Sequence, residues 1–205
     1  MSSLLVIEVS PRFEYSASRR LTGQFIGKWK AEHSGGQVVV RDLAKANLPF
    51  VDLPWIGGAF MPPEQHSPES TAAIKVSNDL VAELMAADHI VIGTPMYNFT
   101  IPAALKAYID HIVRAGVTVN ANNEGQLKGK KVTVILASGG DFSPGAPFES
   151  YNFASPYLRA ILGFIGLTDV NIVLAGQAMS VDQGQKTMDE FALEFDAELS
   201  RAAAV

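Results

Sequence analysis

The chain has 205 residues, 48% of them hydrophobic, and a net charge of −5. That length supports one sizeable core, and the acidic balance disfavours nonspecific binding to nucleic acid or anionic membranes. The absence of cysteine excludes disulfides, thiol nucleophiles, thiolate metal sites and cysteine-ligated clusters, and the four histidines, His33, His66, His89 and His111, lack the spacing of a metal site.

The opening residues carry no basic region and only a short apolar run, so Leu4–Val9 reads as a first buried strand and not as a signal peptide. A helix over Ser16–Glu32 is predicted from Leu21, Phe25 and Trp29 recurring at intervals of four. Val38–Val40 is a second short strand. Leu43–Ser70 holds Pro49, Pro54, Pro62, Pro63 and Pro68, which forbids a long regular element. Yet Phe50, Trp55, Ile56 and Phe60 make it too apolar for a disordered linker, so it reads as an excursion that packs against something.

Thr71–Ala87 is helical, with Ile74, Leu80, Val81 and Leu84 on one face. Ile90–Ile92 is a third strand, broken by Gly93-Thr94-Pro95. Pro102–Val113 starts a helix with proline in its first turn, where a missing N–H costs little. A fourth strand lies within Lys131–Ala137, a helix over Pro156–Ile165 stops at Gly166, and Val170–Ala175 is a fifth strand. Asp182–Ala203 reads as one last helix with Met188, Phe191, Phe195 and Leu199 inward. This alternation of near-continuous apolar strands with helices implies a parallel sheet covered on both faces. Five strands fit a doubly wound order of 2-1-3-4-5, with ligands at the carboxyl ends near the switch point between strands 1 and 3. Residues 1–205 are expected to form a single domain with the excursion at 43–70. No stretch reaches the ~18 apolar residues of a membrane span, and cytoplasmic residence is the default expectation.

Three loops leave the same edge of such a sheet. Ser10-Pro11-Arg12-Phe13-Glu14-Tyr15-Ser16-Ala17-Ser18 leads into a helix N-terminus, an anion site by virtue of its free N–H groups and dipole. Hydroxyls at Ser10, Ser16 and Ser18 suit a single terminal phosphate, although helix capping alone also calls for serine there. Neither a dinucleotide fingerprint nor a nucleoside-triphosphate loop is present. Thr94–Pro102 is a stiff turn in which Met96, Tyr97 and Phe99 supply apolar faces and Asn98 a polar contact for a flat ring. The competing reading is core residues and a turn former. Ala137-Ser138-Gly139-Gly140 lets backbone N–H groups approach a ligand closely, or is a plain left-handed turn. It is not a nucleophile elbow.

Together these motifs, S-P-R-x-x-x-S-x-S, T-P-M-Y-N-F and S-G-G, with R-A-G-V-T at Arg114–Thr118 and L-G-F-I-G at Leu162–Gly166, resemble the FMN-dependent NADH:azoreductases and NAD(P)H:quinone oxidoreductases of the flavodoxin-like superfamily. The resemblance spans nearly the whole chain. It implies a flavodoxin-like fold, FMN as cofactor, NADH or NADPH as co-substrate, and quinones or azo compounds as oxidants in a ping-pong cycle with no obligatory catalytic side chain. By position, Ser10, Ser16, Ala17 and Ser18 would hold the phosphate. Pro95, Met96, Tyr97, Asn98 and Phe99 would line the flavin, with Ala137, Ser138, Gly139 and Gly140 at the opposite ring edge. The family's homodimer places each site at the interface, so Phe60 of one subunit with Phe99 and Phe164 would form an aromatic slot, with Tyr151 and Phe153 as further substrate contacts. Two departures bear on substrate preference: Ser138 stands where the family often has arginine, and the polar loop at 119–127 is shortened. A non-enzymatic flavodoxin-like electron carrier is the alternative. A phosphoacceptor domain is disfavoured because the third strand ends in Gly93-Thr94 instead of an aspartate.

Overall fold

The computed structural model describes residues 2–204. Five parallel strands, β1 (Ser3–Glu8), β2 (Gln37–Asp42), β3 (His89–Pro95), β4 (Lys131–Ala137) and β5 (Asp169–Ala175), form one sheet of order β2-β1-β3-β4-β5. This is the doubly wound order expected. The helices are α1 (Ala17–Glu32), α2 (Leu43–Ala46), α3 (Leu53–Phe60), α4 (Pro68–Ala86), α5 (Ala103–Ile112), α6 (Ala154–Phe164), α7 (Met179–Asp182), α8 (Met188–Leu193) and α9 (Asp196–Ala203).

Side-chain alternation along each strand feeds two cores. Leu4 and Val6 point to one face, where they meet Leu21, Phe25 and Trp29 of α1 and Phe191 and Leu199 of α8 and α9. Leu5, Ile7 and Val9 point to the other and meet Leu80 and Leu84 of α4, Leu105 and Ile109 of α5 and Leu158 and Leu162 of α6. Both faces of β1 are therefore dry, which is why its sequence reads as a continuous apolar run.

The excursion contains no long element, as its prolines require. It holds α2, α3 and a single 3-10 turn at Pro63–Gln65. It docks firmly at two places. A Cβ at Gly58 would meet the Ser70 carbonyl oxygen at 2.6 Å, so α3 lies backbone-to-backbone on α4. Trp55, buried in α3, donates its indole N–H to His111 Nδ1 at 3.1 Å, and His111 Nε2–H donates to the Pro49 carbonyl at 2.9 Å. Fully buried His111 thus ties Pro49 and Trp55, in the first half of the segment, to α5. Phe50, Leu53, Ile56 and Phe60 remain exposed on its outer side.

Two expectations fail. The third strand is not broken by Gly93-Thr94-Pro95: it runs on to Pro95, paired with Ala137. Gly93 is needed inside the strand, because a Cβ there would stand 2.1 Å from Thr22 Oγ1 where α1 crosses. The span Asp182–Ala203 is not one helix: α7 ends at Asp182, and the rest holds two helices, α8 and α9. Gly184 adopts φ 69° after α7, and α8 restarts with a Thr187–Glu190 capping box.

Candidate functional site

The carboxyl ends of β1, β3, β4 and β5 open onto a cleft of about 110 Å³. It gathers Ser10, Ser16, Ala17 and Ser18 of the first loop, Pro95, Met96 and Tyr97 of the second, and Ala137, Ser138 and Gly139 of the third. The three loops singled out in the sequence therefore meet in space. A larger cavity, about 400 Å³, lies at the opposite, amino end of the strands between β4, β5 and α9 and includes none of these loops.

The first wall is a hydroxyl cradle at the start of α1. Ser10, Ser16 and Ser18 are all buried, and the Ser16 and Ser18 hydroxyls lie 3.1 Å apart. Ser16 caps the helix by accepting from the Arg19 N–H at 3.3 Å, so capping and ligand binding are compatible roles of one residue. The N–H groups of Ala17 and Ser18 find no carbonyl acceptor among the described residues. Arg19 fixes the cradle from behind: its Nε–H donates to the Ser10 carbonyl at 2.7 Å, and its guanidinium pairs with both Asp42 oxygens at 2.9 and 2.7 Å.

The second wall is a tight turn. Tyr97 and Thr100 exchange backbone hydrogen bonds of 2.9 and 3.1 Å, and both central residues are left-handed, Asn98 at φ 48° and Phe99 at φ 70°. That is the type I′ pattern. A bulky residue is uncommon in this region, and the conformation aims Phe99 outward. Met96 N–H donates to the Ala137 carbonyl at 2.7 Å, locking this turn to the third loop.

In the third wall neither Gly139 nor Gly140 has a positive φ, so the plain left-handed turn is absent. A Cβ at Gly139 would stand 3.3 Å from Met179 Cε, the movable tip of a half-exposed side chain, so crowding alone does not demand glycine there. Ser138 turns inward and donates to the Gly140 carbonyl at 2.9 Å.

Asn98, Phe99 and Gly140 stand just outside the cleft. Phe99 begins an aromatic rim, with ring centroids 5.1 Å from Tyr151 and 6.1 Å from Phe142, and Phe148 follows 5.9 Å from Phe142. Phe153 joins through its backbone, its N–H donating to the Phe99 carbonyl at 3.1 Å. Phe60 on α3 and Phe164 at the end of α6 are exposed and make no ring contact with this rim. Phe142 and Phe148 were missed, as was a fourth wall after β5: Ala178, Met179 and Asp182 line the cleft. Asp182 accepts a bidentate pair from Arg12 at 2.9 and 2.6 Å across its mouth. The segment A-G-Q-A-M-S has no signature of its own. The strand order alone, which brings β5 beside β4, would have pointed to it.

Residues 2–199 match the flavodoxin-like fold family. The chain belongs to that family. Within the flavodoxin-like proteins, a relative from Burkholderia lata named FMN-dependent NADH:quinone oxidoreductase 8 is 47% identical over 204 residues, covering 100% of this chain and 97% of its own. One from Jannaschia sp. named FMN-dependent NADH:quinone oxidoreductase 2 is 50% identical over 203 residues, covering 99% and 100%. The crystal structure of an azoreductase from Bacillus anthracis aligns with TM-score 0.86 at 29% identity, covering 100% of this chain and 99% of the other. The resemblance read from the motifs is thereby borne out.

The cleft fits FMN on its own chemistry. A terminal phosphate needs several donors and no facing carboxylate. The cradle offers three hydroxyls and two unpaired first-turn N–H groups. Asp182, the acidic group at the mouth, is neutralised by Arg12.

Proposed function

We propose that this chain is an FMN-dependent oxidoreductase that uses NADH to reduce quinones and azo compounds. The observation that carries the reading is the convergence of the serine cradle, the Pro95–Asn98 turn and the Ala137–Gly140 loop on one cleft at the carboxyl edge of the sheet. The names of the relatives and of the azoreductase structure support the substrate classes.

When bound, FMN would supply the two-electron redox chemistry between NADH and the oxidant. The protein positions and shields. Ser10, Ser16 and Ser18, with the Ala17 and Ser18 amides, hold the phosphate. Pro95, Met96 and Tyr97 form one apolar wall, and Asn98 and the Gly139–Gly140 amides offer donors toward negative charge on the ring. Ser138 holds its loop closed in place of the family's arginine, so the third loop brings amides and no cation to the ring edge. Phe99, Tyr151 and Phe153 edge the mouth, where reductant and oxidant bind in turn, giving ping-pong kinetics. No side chain is required as acid or base.

The exposed faces of Phe50, Leu53, Ile56 and Phe60 support a homodimer in which the partner copy's excursion covers the mouth and completes the slot with Phe164. Among the described residues no helix is long and apolar enough to cross a membrane. The test is optical. Purified protein given FMN shows a flavin spectrum that NADH bleaches under argon and quinone restores, with steady turnover by the protein alone. Folded protein that stays colourless in excess FMN refutes the reading, and flavin binding without turnover would assign it to an electron carrier.

A further inference from the structure

Glu8 ends β1 on the same face as Ser10, two residues on. That face is covered by α1, so the row Leu4, Val6, Glu8, Ser10 runs beneath one helix from the core to the hydroxyl cradle. A carboxyl group is an unusual member of such a row. Glu8 is only 7% exposed, and its Oε2 has no hydrogen-bond partner among the described residues. On the β3 side the wall is Gly93, where a Cβ would stand 3.2 Å from Oε2. On the α1 side Thr22 spends its hydroxyl proton on the Ser18 carbonyl at 2.8 Å.

The charged groups that face Glu8 are Arg19 from α1 and Asp42 from β2, while β3 brings only Gly93. Arg19 is already committed to Asp42 and to the Ser10 carbonyl, so it attracts Glu8 without bonding it. Burial outweighs that attraction and, with Asp42 repelling, pushes the carboxyl up to about 7.

We propose that Glu8 takes up a proton when the phosphate of FMN is seated in the Ser10–Ser16–Ser18 cradle, so that cofactor retention is proton-linked. The inference rests on the FMN reading of the cleft. With Glu8 ionised, two carboxylates, Glu8 and Asp42, repel each other behind the cradle beside the Arg19 guanidinium, while the Lys45 ammonium, 3.7 Å from Asp42, is exposed and acts on Asp42; with Glu8 neutral that repulsion is gone. A phosphate brings nearly two further negative charges close by at neutral pH, and a like charge favours the neutral carboxyl. Glu8 is not among the residues that line the cleft. It acts through the field beneath the cradle and is a positioning residue.

The test is calorimetric titration of FMN into flavin-free full-length protein in buffers of different ionisation enthalpy. Wild type takes up roughly half a proton per FMN at pH 7.5, and its affinity falls about fivefold from pH 7 to 8.5. Glu8→Gln binds FMN with no uptake and a flat profile over the same range. FMN binding to wild type with zero or negative proton uptake overturns the proposal whether or not the variant folds, as does equal uptake by Glu8→Gln. No FMN binding at any pH removes the proposed function itself, and this inference with it.

Discussion

Ser16 and Ser18 both belong to the cradle, but only Ser16 caps α1, and the difference separates ligand binding from folding. Ser18→Ala removes one hydroxyl from the proposed phosphate site while the Ser16 oxygen keeps the Arg19 N–H at 3.3 Å. A hydrogen bond to a charged group contributes about 1.5–3 kcal/mol, so FMN affinity should fall about 10- to 150-fold. The fold should hardly notice, because the lost Ser16–Ser18 contact joins two neutral hydroxyls. Ser16→Ala should lose similar affinity and also the cap, about 1 kcal/mol, lowering Tm by roughly 2–4 °C for a chain of this size. Flavin fluorescence quenching gives the dissociation constants and thermal melts of flavin-free protein give Tm. A Ser18→Ala affinity within threefold of wild type, or a Ser18→Ala Tm loss as large as that of Ser16→Ala, would refute the assignment.

Gly125→Ala should destabilise by more than about 3 kcal/mol, because the new methyl would lie 2.0 Å from the Gly166 nitrogen and 2.2 Å from the Ile165 carbonyl carbon, main-chain atoms no rotamer can move. Gly27→Ala, on an open face of α1, should stabilise by about 0.5–1 kcal/mol in the same denaturant titration. Trp55→Phe keeps the apolar bulk but leaves His111 Nδ1 buried without its donor, costing about 1–3 kcal/mol and exposing residues 47–61 to limited proteolysis. Two buried groups should give opposite pH slopes in the flavin-free protein. Burial, with Lys131 and His33 adding repulsion against the pull of Asp169, holds His89 down to about 4. The unfolded chain therefore binds a proton that the fold refuses, and stability falls as pH drops from about 6.5 toward 4, by about 3 kcal/mol in all. Glu8 at about 7 does the reverse, gaining stability as pH drops toward 4.5. His89→Gln should uncover the rise and Glu8→Gln the fall, and parallel melting curves for wild type and both variants would contradict this.

The sheet was legible because strands buried on both faces must be apolar throughout, and β1, β3 and β4 are. The ends of elements were less so. Gly93 and Pro95 are breakers by local rules, yet a crossing helix demands the first, and the second sits at the end of a ladder where its absent N–H is cheap. The periodicity of Met188, Phe191, Phe195 and Leu199 is real, but it does not register Gly184 or the new cap at Thr187, which divide the segment. At the site, the placement of residues in the chain's own loops was readable: Ser10, Ser16, Ser18 and Met96 stand in local motifs and meet in one cleft. Asp182 was not, because its partner Arg12 lies across a cleft that only the folded order of strands creates. Phe142 and Phe148 become a rim only once Phe99 turns outward at a positive φ. The aspartate on β2 that anchors Arg19 was silent for the same reason.

The mouth of α1 is braced by the chain itself: Ser16 takes the Arg19 N–H and Arg19 is held by Asp42, while the Ala17 and Ser18 amides stay open. A holder completed before its cargo arrives can be emptied and refilled. This protein should therefore survive removal of its flavin and accept phosphate-bearing substitutes with altered rings, which would make it a reloadable chassis for electron-transfer chemistry that the native cofactor does not perform.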